Sequence, residues 1–337
     1  MVKVLRTAVT VASLAVILFS CGEDREYEVA DGWITVYQMQ AEVDSEGISD
    51  LWFNAPDDGW ACVDDKILHY DGSEWRVAHR IRDLFPEDII FFNSLCAVSA
   101  DNIWASSGWG WKDNLHHFDG DKWEKVPSPV SYANITDTYF PYGDRGWIAT
   151  GQGVYYYDGG DWTFQVPGAA YDLCFPAEND GWACAGQYIY HWDGSAWTRW
   201  EAREMDGGAF YDVSFASPDL GWAVGYGYEI IWEEREYFPL FYRYDGVSWK
   251  EVNWPDSDYR IEKCGVAADG TGWVLAYGTY FSTRMCFFDG ATILDEKRLG
   301  REEIIEEIAV MPGGETWAST ISDNTTITRI WHYPPAW

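Results

Sequence analysis

The sequence predicts an all-β chain of seven four-stranded sheets set in a ring. Three observations carry that reading. Short aromatic and β-branched runs are punctuated by Asp, Gly and Pro turns. Aromatics make up 18% of the 337 residues, with 22 Trp and 22 Tyr, an excess that suits wedges between sheets. A three-part phrase also recurs along the chain, and such repetition decides a fold before local propensity does. The best helix-like stretch, REEIIEEI at 301–308, is too short and too β-branched to weigh against this.

The first twenty residues stand apart from the repeats. MVKVLR carries two positive charges, TAVTVASLAVILFS is apolar, and Cys21 follows at once. That is the layout of a secretory signal peptide, too short for a comfortable membrane span. Leu18-Phe19-Ser20-Cys21 resembles the bacterial lipobox. The resemblance implies cleavage before Cys21 and acylation of that residue, and several chains on one residue anchor stably. By analogy with enteric lipoproteins, Gly22 implies the outer membrane. The acidic GEDREYE resembles surface-export tethers of some Bacteroidetes lipoproteins. Residues 21–32 then form a lipidated acidic tether and 33–337 the folded body. Such a tether reaches at most ~35–40 Å, which keeps the body near its membrane.

The repeat is clearest in DDGWACVDDKILHYDGSEW at 57–75 and NDGWACAGQYIYHWDGSAW at 179–197. Aligned on Gly-Trp or its equivalent, the chain gives Trp60, Trp104, Trp147, Trp182, Trp222, Trp273 and Trp317, spaced by 44, 43, 35, 40, 51 and 44 residues. A first-strand element precedes each: SDLWF, NSLCA, TDTYF, YDLCF, YDVSF, IEKCG and IEEIA. An Asp-Gly-x-x-Trp turn follows, ending at Trp75, Trp123, Trp162, Trp197 and Trp249; Ile293 replaces the Trp in the sixth copy. Each copy reads as four short strands joined by tight turns. That is the unit of a seven-bladed β-propeller. The seventh copy stops at Trp337 before its fourth strand, and Asp31-Gly32-Trp33-Ile34-Thr35-Val36-Tyr37 resembles the missing piece. An N-terminal strand is therefore expected to close the last blade and remove the free edges.

The HYDGSEW, FDGDKW, YDGGDW, HWDGSAW and YDGVSW segments resemble degenerate Asp-box repeats of the sialidase type. PDDGWAC and PDLGWAV resemble repeats of photosystem assembly-factor propellers and of bacterial lipoproteins with that architecture. The resemblance covers about 33–337 and implies the fold far more than any activity. It also implies that Asp71, Asp119, Asp158, Asp193, Asp245 and Asp289 serve turns and not a reaction.

A net charge of −32 makes nucleic acid an improbable partner and repels an anionic membrane surface. His69, His117, His191 and His332 share one repeat position with Tyr156, Arg243 and Phe287, the behaviour of a packing site. No sialidase arginine cluster and no CxxC metal spacing occurs, so no catalytic residue is assigned and no cofactor is required. Of six further cysteines, Cys174 and Cys184 are the best disulfide candidates, lying on paired strands.

Two features exceed the repeat. Near the start of the first strands stand Asp50, Asn93, Asp137, Asp172, Asp212, Glu262 and Glu306, a ring of six acids and one amide at the mouth of a central channel. Crowded carboxylates must be bonded or neutralised. They either bond backbone amides and seal blade to blade, or coordinate a cation such as Ca²⁺ or an ammonium group. On long connections of the same face lie Trp109, Trp111, Trp232, Tyr237 and Phe238, aromatics suited to a binding surface. The expected function is a lipid-anchored, monomeric, non-enzymatic binding or assembly scaffold for an envelope protein or polysaccharide. The alternative is a glycoside hydrolase or lyase at the acidic channel mouth.

Overall fold

The computed structural model describes residues 33–40, 47–81, 91–107, 115–130, 134–232, 234–254, 260–278, 283–290, 292–297, 303–322 and 327–334. Among them are twenty-eight strands, numbered β1 to β28 in chain order, and no α-helix. Residues 303–308 of the helix-like stretch lie in a strand, β26 (Glu303–Val310). Seven four-stranded antiparallel sheets form the blades of a β-propeller. Blades one to six are meanders that begin with β2 (Ile48–Ala55), β6 (Phe92–Ser99), β10 (Ile135–Tyr139), β14 (Ala170–Ala177), β18 (Gly207–Ser217) and β22 (Arg260–Val266). Blade seven consists of β26, β27 (Thr316–Ser322), β28 (Ile327–Tyr333) and the N-terminal β1 (Ile34–Gln40), which pairs with β28 from Ile34↔His332 to Gln40↔Ile327.

The alternating strand directions give the ring two unlike faces. At the entry face each innermost strand begins, and the blade-to-blade and second-to-third-strand connections lie there. At the turn face lie the tight turns. Asp71 shows how these are built: its Oδ1 accepts the amides of Ser73 and Glu74, at 3.0 and 3.1 Å, while Gly72 takes φ +85°. Asp119, Asp158, Asp193, Asp245 and Asp289 accept amides two or three residues on in the same way. The Ser195 hydroxyl and two amides pull the Asp193 pKa down to about 2.

The hydrophobic core lies between blades. Seven clusters of buried side chains each combine residues of two neighbouring blades. Within them the Gly-Trp tryptophan of one blade meets an aromatic of the next: Trp104 stacks on Phe140 at 3.8 Å, Trp182 on Phe215 at 4.7 Å and Trp317 on Phe53 at 4.9 Å. Such a pair adds about 0.5–1.5 kcal/mol beyond the area it buries. The glycine of the motif makes room for this aromatic, since a Cβ on Gly59 would lie 2.4 Å from the Phe53 ring. The shared histidine position is packing: His69, His117, His191 and His332 stack on Trp60, Trp104, Trp182 and Trp317 at 4.1–4.3 Å.

All six described cysteines are free, so the expected Cys174–Cys184 disulfide is absent. Cys174 pairs with Trp182 across the ladder and Cys184 with Asp172. That two-residue offset places the cysteines diagonally, where a bridge needs directly opposed Cβ atoms.

Trp33 joins the last blade to the ring. It is fully buried, 5.7 Å from Trp273 of blade six and 5.3 Å from Tyr333. Trp33→Ala should cost about 3–5 kcal/mol of stability, read as a lowered urea midpoint with a reversible two-state transition.

Candidate binding face and channel mouth

Every innermost strand carries a β-bulge near its start, at Ile48/Asp50, Phe92/Ser94, Ile135/Asp137, Ala170/Asp172, Phe210/Asp212, Ile261/Lys263 and Ile305/Glu307. The residue after the bulge opposes the second strand at the same place in each blade. These residues are Asp50, Ser94, Asp137, Asp172, Asp212, Lys263 and Glu307. The sequence-expected ring therefore mixes two levels. Asp50, Asp137, Asp172 and Asp212 belong to this register, whereas Asn93, Glu262 and Glu306 are the bulged residues one step earlier. A signal for the correct set exists in the sequence: each true ring residue stands ten positions before its blade's Gly-Trp tryptophan, and Asn93, Glu262 and Glu306 stand eleven before.

The carboxylates of this ring clamp blade to blade. Asp50 accepts the Leu95 amide of blade two at 2.7 Å, and Asp137 the Leu173 amide of blade four at 2.9 Å. Asp172 accepts from Val213 of blade five at 2.9 Å, and Asp212 from Cys264 of blade six at 2.8 Å. Where the preceding blade supplies no acid, the next carboxylate turns back on itself. Asp137 also accepts the following amide, Thr138, at 2.7 Å, since blade two offers Ser94; Glu307 accepts Ile308 at 3.0 Å, since blade six offers Lys263. The Ser94 hydroxyl donates to Asp137 Oδ1 at 2.9 Å.

Lys263 answers the crowding. Its Nζ donates to Glu307 Oε2 at 2.6 Å. Desolvation works against its charge, but Glu307, Asp212 and Asp172 outweigh it and hold the ammonium pKa well above its ordinary value. Burial raises the carboxylates in turn. Asp137 and Asp212 are pushed up to about 6, and Asp50 and Asp172 are held well above their ordinary value by burial and by neighbouring carboxylates. Among the described residues no group of three or more His, Cys, Asp or Glu is placed to hold a metal ion. Each ring carboxylate gives at least one oxygen to a backbone amide, and Glu307 gives its other to Lys263.

Above this ring the bulged residues form a second level. Asn93 Nδ2 donates to the Ile135 carbonyl at 3.2 Å and Thr136 Oγ1 to the Ala170 carbonyl at 2.8 Å, each reaching the next blade. Tyr171 and Tyr211 meet edge to face at 4.8 Å, and Tyr211 stacks on Tyr226 at 5.3 Å. Burial and the Tyr226 hydroxyl raise the Tyr211 pKa. Arg260 lies 5.3 Å over the Tyr226 ring and 3.9 Å from Glu262.

That tyrosine run leads onto blade five, whose first three strands outgrow their counterparts. β18 has 11 residues, β19 (Leu220–Ile231) 12 and β20 (Glu234–Tyr244) 11. Their pairing continues to Ile231↔Glu234, raising a hairpin above the entry face. Trp232 sits at its tip with φ +55° and 94% of its surface exposed, beside Ile230 at 55% and Tyr237 at 47%. Phe238 is different: it is half-buried under the Arg203 guanidinium, 4.2 Å from its ring, and packs on the seam between blades four and five. Trp109 and Trp111 lie outside the described residues, as does Cys21.

The raised carboxylates lead the pH response, opposed in part by His79, His117 and His332, which burial holds below their ordinary value. Asp137 and Asp212 keep protons up to about pH 6 when folded, but release them near about 4 when unfolded. The folded state then binds more protons in that window, so stability rises as pH falls from 7 through 6 and levels off near 4. Below that, Asp193, with a folded pKa of about 2, loses its contribution. The urea midpoint should peak near about pH 4–5, and Asp212→Asn should flatten the slope between pH 4 and 7. Lys263→Met should lower the midpoint far more at pH 8 than at pH 5, because the neighbouring carboxylates then ionise without their counter-charge.

No protein-family model matches the sequence, and no curated protein matches it. Solved structures of similar fold exist. One is described as YCF48 bound to D1 peptide, with 13% identity and a TM-score of 0.61 over 92% of this chain and 99% of that one. A second is the extracellular domain of the putative one component system BT4673 from B. thetaiotaomicron, with 10% identity, TM-score 0.61 and coverage of 89% and 40%. A third is the GH74 xyloglucanase from Xanthomonas campestris, with 11% identity, TM-score 0.58 and coverage of 90% and 56%. At these identities the likeness is one of fold: the chain is a seven-bladed β-propeller.

Proposed function

We propose that this chain is a lipid-anchored, extracytoplasmic binding propeller whose entry face holds a segment of an envelope protein. The observation that carries the reading is the blade-five hairpin, with Trp232 almost wholly exposed at its tip. A large apolar ring held out on a paired hairpin gains nothing for the fold. Aromatic anchors of this kind dominate protein interfaces when a partner desolvates them. The net charge of −32 adds a preference for a basic segment, through faster encounter and complementary rim contacts. A propeller of similar fold is described with a peptide bound, which agrees with this use of the architecture.

Strand direction sets how such an anchor would orient the body. β1 runs antiparallel to β28, so it begins at the turn face, where Ile34 pairs with His332. The segment that carries Cys21 therefore joins the body on the face opposite the hairpin. Acylation of Cys21 would hold the turn face toward the membrane and present the entry face outward.

The test is recovery of partners from envelope extracts by the full-length chain in detergent. Trp232→Ala and Tyr237→Ala, both at exposed positions, should each reduce recovery with unchanged thermal unfolding. Equal recovery by both variants would remove the proposed face. Cys21→Ser should shift the chain from the membrane fraction to the soluble one, and retention at the membrane would refute the anchor.

A further inference from the structure

The turn face carries a cavity at the seam between blades three and four, and blade three is one of three blades, with five and six, that lack the stacked histidine. In blades one, two, four and seven, the histidine stacked on the Gly-Trp tryptophan is fixed by an acid or amide two residues before that tryptophan. His69 lies 2.8 Å from Asp58, His117 3.0 Å from Asn102, His191 2.6 Å from Asp180 and His332 2.7 Å from Glu315. Blade three has Tyr156 in place of the histidine and Arg145 in place of the acid. Tyr156 meets Trp147 tilted by 47°, at 4.8 Å, and not stacked. Arg145 turns away, to lie 5.2 Å over the Tyr142 ring and 3.5 Å from Asp144. The seam between blades three and four is left open as a cavity of about 300 Å³.

Its lining is of two kinds. Tyr142, Tyr156 and Trp192 supply aromatic surface, while Trp147, only 4% exposed, closes the floor. Arg145, Gln165, Glu178 and Asn179 supply hydrogen-bond donors and acceptors. Arg145 and Glu178 carry opposite charges on the lining, with Asp144 beside Arg145, so a bare anion gains little there. Its volume lies at the small end of ligand pockets, enough for one six-membered ring with its substituents. A pyranose has that size, an apolar C–H face to set against indole, and a rim of hydroxyls that both donate and accept.

We infer that the cavity between blades three and four is a monosaccharide subsite, which takes a neutral hexopyranose against Tyr156 and Trp192 with Arg145, Glu178 and Asn179 on its hydroxyls. It lies on the opposite face from the protein-binding hairpin and is independent of that proposal. Either can fail while the other stands.

The probes are the methyl α- and β-pyranosides of glucose, galactose and mannose, with glycine and L-arginine as the competing chemistry. Binding to the full-length chain in detergent is read by tryptophan fluorescence and by saturation-transfer NMR. At least one pyranoside should bind, and Arg145→Ala and Glu178→Gln should each weaken it by about tenfold. The pair Arg145→Asp with Tyr156→His installs the stacked histidine and acid of the sister blades and should abolish binding with the fold intact. Should that pair fail to fold, Glu178→Gln decides, because Glu178 is exposed on a turn. No binding by any pyranoside, tighter binding of either amino acid, or full binding by Glu178→Gln or by the folded double variant would each overturn the proposal.

Discussion

The bond from a ring carboxylate to the next blade's innermost amide is the constraint on which the rest of the structure depends. That amide lies on the innermost strand of its blade, which has a ladder partner on one side only, and an unsatisfied buried amide costs about 1–3 kcal/mol. The carboxylate solves this problem and creates another, because four Asp and one Glu are then gathered around one axis. Hydrogen bonds to an ionised group contribute about 1.5–3 kcal/mol each, yet burying the charge costs several kcal/mol. The arrangement resolves the conflict in two ways. Lys263 places one ammonium among the carboxylates, and the carboxylates themselves rise toward neutral pKa values. The position that breaks the acidic pattern is therefore the one that permits it.

Aromatic packing follows the same logic at the other end of each innermost strand. Asp50, Asp137, Asp172 and Asp212 are each followed three residues later by a phenylalanine: Phe53, Phe140, Phe175 and Phe215. Those rings meet the preceding blade's tryptophan in the wedge. Where the ring residue is Ser94, Lys263 or Glu307, the third residue on is Ala97, Val266 or Val310. Clamp and wedge thus vary together. A blade that binds its neighbour by a carboxylate near the entry face also binds the other neighbour by an aromatic near the turn face.

The fold was legible because its signals are letters at fixed places. Gly-Trp needs glycine for a close approach and tryptophan for the wedge, and Asp-Gly needs both residues for the turn. The ring was legible only in part. Glu262 and Glu306 look like the expected acids, but register is set by the hydrogen-bond ladder, and a one-residue shift changes which side chain reaches the axis. Lys263 is chemically opposite to the ring it completes, so similarity of residue type points away from it; only the ten-residue interval to Trp273 identifies it. The histidine–acid pairs were hidden for a related reason. The four histidines were visible as a column, but their partners Asp58, Asn102, Asp180 and Glu315 become meaningful only when strands two and three lie side by side.

The two faces then acquire specificity by different routes. Entry-face connections are free to lengthen, because nothing but the chain's own entropy limits them and that cost grows slowly with length. Blade five exploits this with its raised strands. Turn-face connections cannot lengthen without losing the Asp-locked turns and the stacked pairs that cover each tryptophan. Novelty there has to come by substitution at constant length, and the Tyr156 and Arg145 exchange in blade three is such a case: the interval from Asp137 to Trp147 is unchanged while a tilted tyrosine replaces the stacked histidine on Trp147. A ring of near-identical blades thereby keeps one closure mechanism throughout and still differs where single side chains are released from it.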